Sequence, residues 1–254
     1  MRMLTLIALP GIPEVRPGDR LAALIVAALD RAAARLEPDD VLIVAQKIIS
    51  KAEGRFARLS DVTPSARARE VGRAVGRDPR LVELVLRESR GVLRVKPGVL
   101  IAEHRLGFVM ANAGVDQSNV PHAETAETAL MLPEDPDASA RRLQEELHEA
   151  CGVEAGIVIN DSFGRAWRNG VTGVAIGVAG VPALVDLRGS ADREGRPLRV
   201  TQVAAADELA AAGSLLMGQA DEGCPVVLAR GFPYAGRESS TRELIRPETE
   251  DLFR

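Results

Sequence analysis

The chain has 254 residues, is 46% hydrophobic and has a mean hydropathy near zero, enough apolar content for one domain or for two intimate lobes whose boundary the sequence does not mark. A net charge of −4, with one Trp, one Tyr and five Phe, provides neither a basic field nor a stacking surface, which argues against nucleic acid as a partner. The apolar run from Leu21 to Leu29 stops well short of the roughly 20 residues of a membrane span, and the stretch after MRM is below the ~7–15 residues of a leader's apolar core, so a cytoplasmic protein with no membrane partner is expected.

Strand-like and helix-like segments alternate along the chain. Leu4 to Leu9 reads as a first strand ending at Pro10-Gly11. Asp19 is placed to cap a helix from Arg20 to Leu36, whose Leu21, Leu24, Ile25, Ala28, Leu29 and Ala32 make one apolar stripe. Val41 to Ala45 follows as a strand. Thr63-Pro64 has the form of a cap and first helical position for a helix to about Val75, and Pro79 starts another through Leu86. Short strands then crowd together at Val92 to Val95, Val99 to Glu103 and Phe108 to Ala111. Asp135-Pro136 opens a helix to Ala150; strands at Gly156 to Asn160 and Val171 to Val178, a helix at Ala204 to Met217 and a strand at Pro225 to Ala229 complete the chain. Strands clustered in hairpins predict an α+β fold (mixed α/β with clustered antiparallel strands) rather than a doubly wound sheet.

Cys151 and Cys224 stand in no motif and are expected to play a buried, small apolar role. His104, His122 and His148 share no ligand spacing, so a bound metal should be a hard cation held by oxygen. No Gly-Lys dipeptide occurs, which excludes a Walker-type phosphate loop.

Five stretches hold polar residues or glycines beyond what folding demands. Leu9-Pro10-Gly11-Ile12-Pro13 makes a stiff turn after a strand, an ordinary turn or one whose free N–H groups face an anion. Lys47 and Lys51, after Gln46, share one face of a helical turn and form either a phosphate clamp or a solvated face. In Ala113-Gly114-Val115-Asp116-Gln117-Ser118-Asn119-Val120, Asp116 supplies a carboxylate for a divalent ion and Asn119 a donor and acceptor, although both are also turn residues. Ile157 to Gly170 delivers Asp161 and Ser162 at the carboxyl end of an apolar strand, followed by Arg165, Trp167 and Arg168. Gln219 and Glu222 lie between the last helix and strand, either at a second metal position or in a helix-ending loop.

In this order, LPGIPEV, QKIISKAEG, ANAGVDQSN, INDSFGRAWRNG and GQADEGCPVVLARG resemble the coenzyme F-420 gamma-glutamyl ligase family over nearly the whole chain. The resemblance implies an intertwined α+β homodimer that adds L-glutamate to a deazaflavin precursor ending in a phospholactyl group, and then further glutamates through gamma links. It implies GTP as co-substrate, Mg²⁺ or Mn²⁺ (two per site) and K⁺. Carried over position by position, Leu9, Pro10, Gly11 and Ile12 would line the nucleotide, with Gln46, Lys47 and Lys51 near its phosphates. Asp116 and Asp161 match metal-binding aspartates and Asn119 a nucleotide contact. Ser162 and Gln219 would hold a second metal, with Glu222 near the nucleotide. Asp116, Asp161 and Lys51 would carry catalysis. Some members add a nitroreductase-like domain; this chain is expected to be the stand-alone form. A metal-dependent small-molecule kinase and a non-catalytic nucleotide-binding regulator are the competing readings.

Overall fold

The computed structural model describes residues 3–118, 127–234 and 239–251. The chain runs β1 (Thr5–Ala8), α1 (Leu21–Arg31), β2 (Val41–Ala45), α2 (Gln46–Ala52), β3 (Phe56–Arg58), α3 (Ala66–Val75), α4 (Pro79–Arg87), β4 (Ser89–Lys96), β5 (Val99–His104) and β6 (Val109–Ala111). It continues through β7 (Thr128–Leu130), α5 (Pro136–Cys151), β8 (Gly156–Arg165), β9 (Arg168–Ala179), β10 (Val185–Asp186), β11 (Gln202–Val203), α6 (Ala205–Met217) and β12 (Val226–Arg230).

The most apolar runs become the inner strands of a five-stranded sheet of order β1-β12-β2-β8-β9. Strands β2 and β8 are parallel and every other neighbouring pair is antiparallel. Side chains alternate between two cores. Leu42, Val44, Ile157, Ile159 and Leu228 pack with α1 and α5 on one face, whereas Val41, Ile43, Val158, Val227 and Ala229 pack beneath α6 on the other. A strand covered on both faces needs apolar residues at every position, hence VLIVA in β2 rather than an alternating pattern. A third core, with Val75, Leu81, Val82, Val85, Leu100 and Ala102, joins α3 and α4 to the three-stranded sheet β4-β5-β6. The result is the mixed α+β arrangement expected, with several small sheets. Among the described residues no helix is long and apolar enough to cross a membrane.

Local chemistry moves several boundaries. Asp19 does not cap α1, because its carboxylate accepts the Arg16 N–H at 2.7 Å and closes the preceding turn. The helix stops at Arg31, and Ala33 already has a φ of 49°, so Leu36 lies outside it. Helix α3 is capped by Ser65, whose hydroxyl accepts the Ala68 N–H at 3.1 Å, rather than by Thr63. The largest revision concerns β8 and β9. These strands stay paired from Ile157↔Ala179 out to Arg165↔Arg168, so Asp161 to Gly170 forms a long hairpin rather than a loop.

Candidate active site

Parallel strands end on the same side of a sheet, and here Ala45 of β2 is in register with Asn160 of β8. Gln46, which opens α2, therefore emerges beside Asp161. Antiparallel β12 pairs Val226 with Val44, so the segment joining α6 to β12 arrives at the same end of the sheet. The three segments enclose a cavity of about 390 Å³, lined by Ile12, Glu14, Gln46, Lys47, Lys51, Asp161, Ser162, Gln219 and Glu222 among others.

Helix α2 brings its two lysines to this cavity, as their four-residue spacing predicts. Lys47 Nζ lies 2.7 Å from Asp116 Oδ2 and donates to Ser118 Oγ, which in turn donates to Asp116. Lys51 Nζ donates to Glu14 Oε1 at 2.5 Å, and its side chain is only 6% exposed. The buried Gln46 turns its amide onto Ser50 Oγ at 2.6 Å.

The two aspartates sense each other. Burial pushes the Asp161 carboxyl up to about 6; the Ser162 N–H and the Lys47 ammonium oppose this, and the Asp116 carboxylate adds to it. Burial would also raise Asp116, but its bonds to Lys47 and Ser118 outweigh that and hold it below the ordinary carboxylate value. Residues 45 positions apart in the chain thus share one electrostatic neighbourhood. Asp116 itself is not on the cavity wall; it stands behind Lys47.

On the α6 side of the hairpin, Ser162 Oγ and Gln219 Oε1 meet at 2.9 Å. Gly218 makes this possible. It ends α6 with φ 72° and ψ −176°, a conformation essentially confined to glycine, and a Cβ there would lie 2.0 Å from the Glu222 carboxyl carbon. Glu222 folds back to accept the Ala220 N–H at 2.8 Å, and such backbone bonds hold its carboxyl below the ordinary value. Beneath this loop the buried Asn160 donates to Met217 Sδ at 3.4 Å, while its Oδ1 has no hydrogen-bond partner.

Not every residue singled out in the sequence lines the cavity. Leu9 is fully buried in the core, and its N–H donates to the Val226 carbonyl. The Arg31 guanidinium holds the carbonyls of Pro10 and Gly11. Ile12 and Pro13 are the members of the turn on the wall. Arg165 and Arg168 sit near the hairpin tip beside Trp167, which is 87% exposed, and off the cavity. Arg230 grips Asp40 and Glu37. Asn119 lies outside the described residues, as does His122. Three contributors escaped the sequence reading: Glu14, Ser118 and Asn160. Each stood inside a quoted motif, but only its partner in space gives it a role.

Among the described residues no group of three or more Asp, Glu, His or Cys side chains gathers around one point. The donor set is instead two coupled carboxylates with the neutral oxygens of Ser162 and Gln219, which suits a hard cation that keeps waters and takes the rest of its shell from phosphate oxygens. The Lys47 ammonium on Asp116 marks a position where positive charge is held. In chemical type these donors are compatible with a divalent ion.

Comparison with known proteins finds relatives along almost the whole chain. Residues 11–231 match the family described as F420-0:Gamma-glutamyl ligase. The chain is 44% identical over 253 residues to the Coenzyme F420:L-glutamate ligase of Methanothermobacter thermautotrophicus, covering 99% of each chain. It is 47% identical to the protein of the same name from Methanopyrus kandleri, covering 95% of this chain and 94% of the other. With that from Archaeoglobus fulgidus it shares 43% identity, covering 96% and 94%. With the family's span running from the Gly11 turn through the Asp161 hairpin to Gly231, and with relatives alike end to end, the chain belongs to the F420-0:gamma-glutamyl ligase family.

Proposed function

We propose that this protein is a coenzyme F-420:L-glutamate ligase that couples GTP cleavage to amide formation at the cavity between α2, β8 and the loop after α6. One observation carries the placement: two lysines, two coupled aspartates and the Ser162–Gln219 pair, from four distant stretches, converge at one end of the sheet.

Amide formation from a free carboxylate fails because oxide cannot leave. Phosphorylation solves this. A carboxylate oxygen of the F-420 precursor attacks the GTP γ-phosphorus and GDP departs; the glutamate amine then attacks the acyl phosphate carbon and phosphate departs. Charge builds on phosphoryl oxygens, so catalysis is mainly positioning and electrostatic stabilisation. Lys51 and Lys47 supply fixed positive charge from α2, and the Ile12 turn, Gln46 and the Gln219–Glu222 loop border the nucleotide. Mg²⁺ or Mn²⁺ held by Asp116 and Asp161, with Ser162 and Gln219 at a second position, would neutralise phosphate oxygens and act as Lewis acids. K⁺ is the monovalent ion in this reading.

The working unit is a homodimer in which the chain forms a single domain. The exposed Trp167 at the hairpin tip and the exposed Val171 on the edge strand β9 favour such pairing. Incubation with unglutamylated deazaflavin, L-glutamate, GTP and Mn²⁺, followed by mass spectrometry, tests the function. Products heavier by glutamyl residues are expected; a product heavier by phosphate alone would make the protein a kinase.

A further inference from the structure

The ion pair between Lys51 and Glu14 has no place in the chemistry above. The two side chains are unequal partners: Lys51 is 6% exposed and fixed on α2, whereas Glu14 is 58% exposed and reaches in from the loop that follows β1. Both line the active-site cavity. Among the described residues, this contact is the polar side-chain interaction that each of them makes. An ammonium withdrawn from water is costly unless an anion stands beside it, and the Glu14 carboxylate is that anion.

Resting on the reading that Lys51 meets nucleotide phosphate, we propose that Glu14 is a specificity-determining residue whose carboxylate holds the place of a phosphate oxygen and thereby makes Lys51 selective for phosphate over carboxylate. The reaction gives this selectivity a purpose, since two of its substrates carry carboxylates that an open ammonium would capture. A substrate carboxylate has the same charge as Glu14 and gains little by displacing a partner already tethered in the chain. A phosphate carrying nearly two charges gains more. Glu14 is exposed and so is the member of the pair free to swing away.

The test is calorimetric titration of the intact protein with GDP at constant ionic strength, with and without sodium acetate, for wild type, Glu14→Gln, Glu14→Ala and Lys51→Met. The Glu14 variants are expected to bind GDP about fivefold more tightly than wild type, the scale of a partly exposed ion pair. Acetate should compete with GDP in those variants and leave the wild type unaffected. Thermal melting confirms that each variant is folded; Glu14 makes no core contact to lose. If Lys51→Met loses affinity while both Glu14 variants bind GDP no more tightly than wild type, or more tightly without acetate competition, Glu14 is not the selector. If Lys51→Met binds GDP as wild type does, the phosphate role of Lys51 fails and takes this inference with it.

Discussion

Replacing Gly173 by alanine would put a methyl carbon 2.3 Å from the carbonyl oxygen of Ala210, 2.6 Å from its carbonyl carbon and 2.6 Å from Asn160 Oδ1. Gly173 lies on β9 opposite Ser162, where α6 crosses the hairpin closely. The first two contacts are helix backbone, so no side-chain rotation relieves them. Relief demands a shift of α6 by about 1 Å, and overpacking of this kind costs about 1–3 kcal/mol. The same shift moves the end of α6, which carries Gly218 and Gln219, and stretches the 2.9 Å Ser162–Gln219 contact beyond hydrogen-bond reach. Misplacement of about 1 Å at a reacting site lowers turnover by as much as roughly a hundredfold. Gly164→Ala is the control: it lies in the same hairpin, its φ is ordinary, and its Cβ would meet nothing within 4 Å. Urea denaturation at unchanged m-value should show a lower midpoint for Gly173→Ala alone, and GTP- and glutamate-dependent phosphate release should fall with it. A Gly173→Ala protein within about 0.5 kcal/mol of the Gly164→Ala protein, and equally active, would refute the close-packing argument.

Asp161→Asn should leave the melting curve essentially intact while abolishing metal-dependent ligation; near-normal turnover would remove Asp161 from the site. Lys47→Met frees the Asp116 carboxylate of its ammonium, so Mn²⁺ binding measured by electron paramagnetic resonance on nucleotide-free protein should tighten while GTP binding weakens. Away from the site, burial tends to raise the Glu88 carboxyl, but His104, Arg105 and Arg55 outweigh it and hold it below its unfolded value. Its contribution is therefore present above the unfolded value of 4.5 and lost as pH falls through the lower folded value. Glu88→Gln should destabilise the protein by about 1–3 kcal/mol at neutral pH and flatten the fall in stability below about pH 5. An unchanged acid profile would show that the ion cluster contributes nothing.

The residues themselves made much of this protein legible. Unbroken apolar runs such as VLIVA and IVI identify strands covered on both faces, and Asp135-Pro136 with Gly152 bracket α5 through side-chain capping and a left-handed end. These are local effects, decided within a few residues by sterics and hydrogen bonding. The ordered motifs were likewise sufficient to identify the family. Tertiary structure alone decided the rest. Pairing of β1 with β12 joins the first strand to the last, and the parallel register of β2 with β8 sets Gln46 beside Asp161 across more than a hundred residues. The Asp161 segment reads as a loop because its Gly, Ser and Arg lack apolar alternation, yet β9 extends it into a hairpin by backbone pairing that side-chain pattern does not encode. Partner choice was hidden for the same reason. Whether Lys51 faces Glu14 or Lys47 faces Asp116 depends on which distant side chains the packed cores bring within 3 Å, and charge type in a sequence carries no such distance.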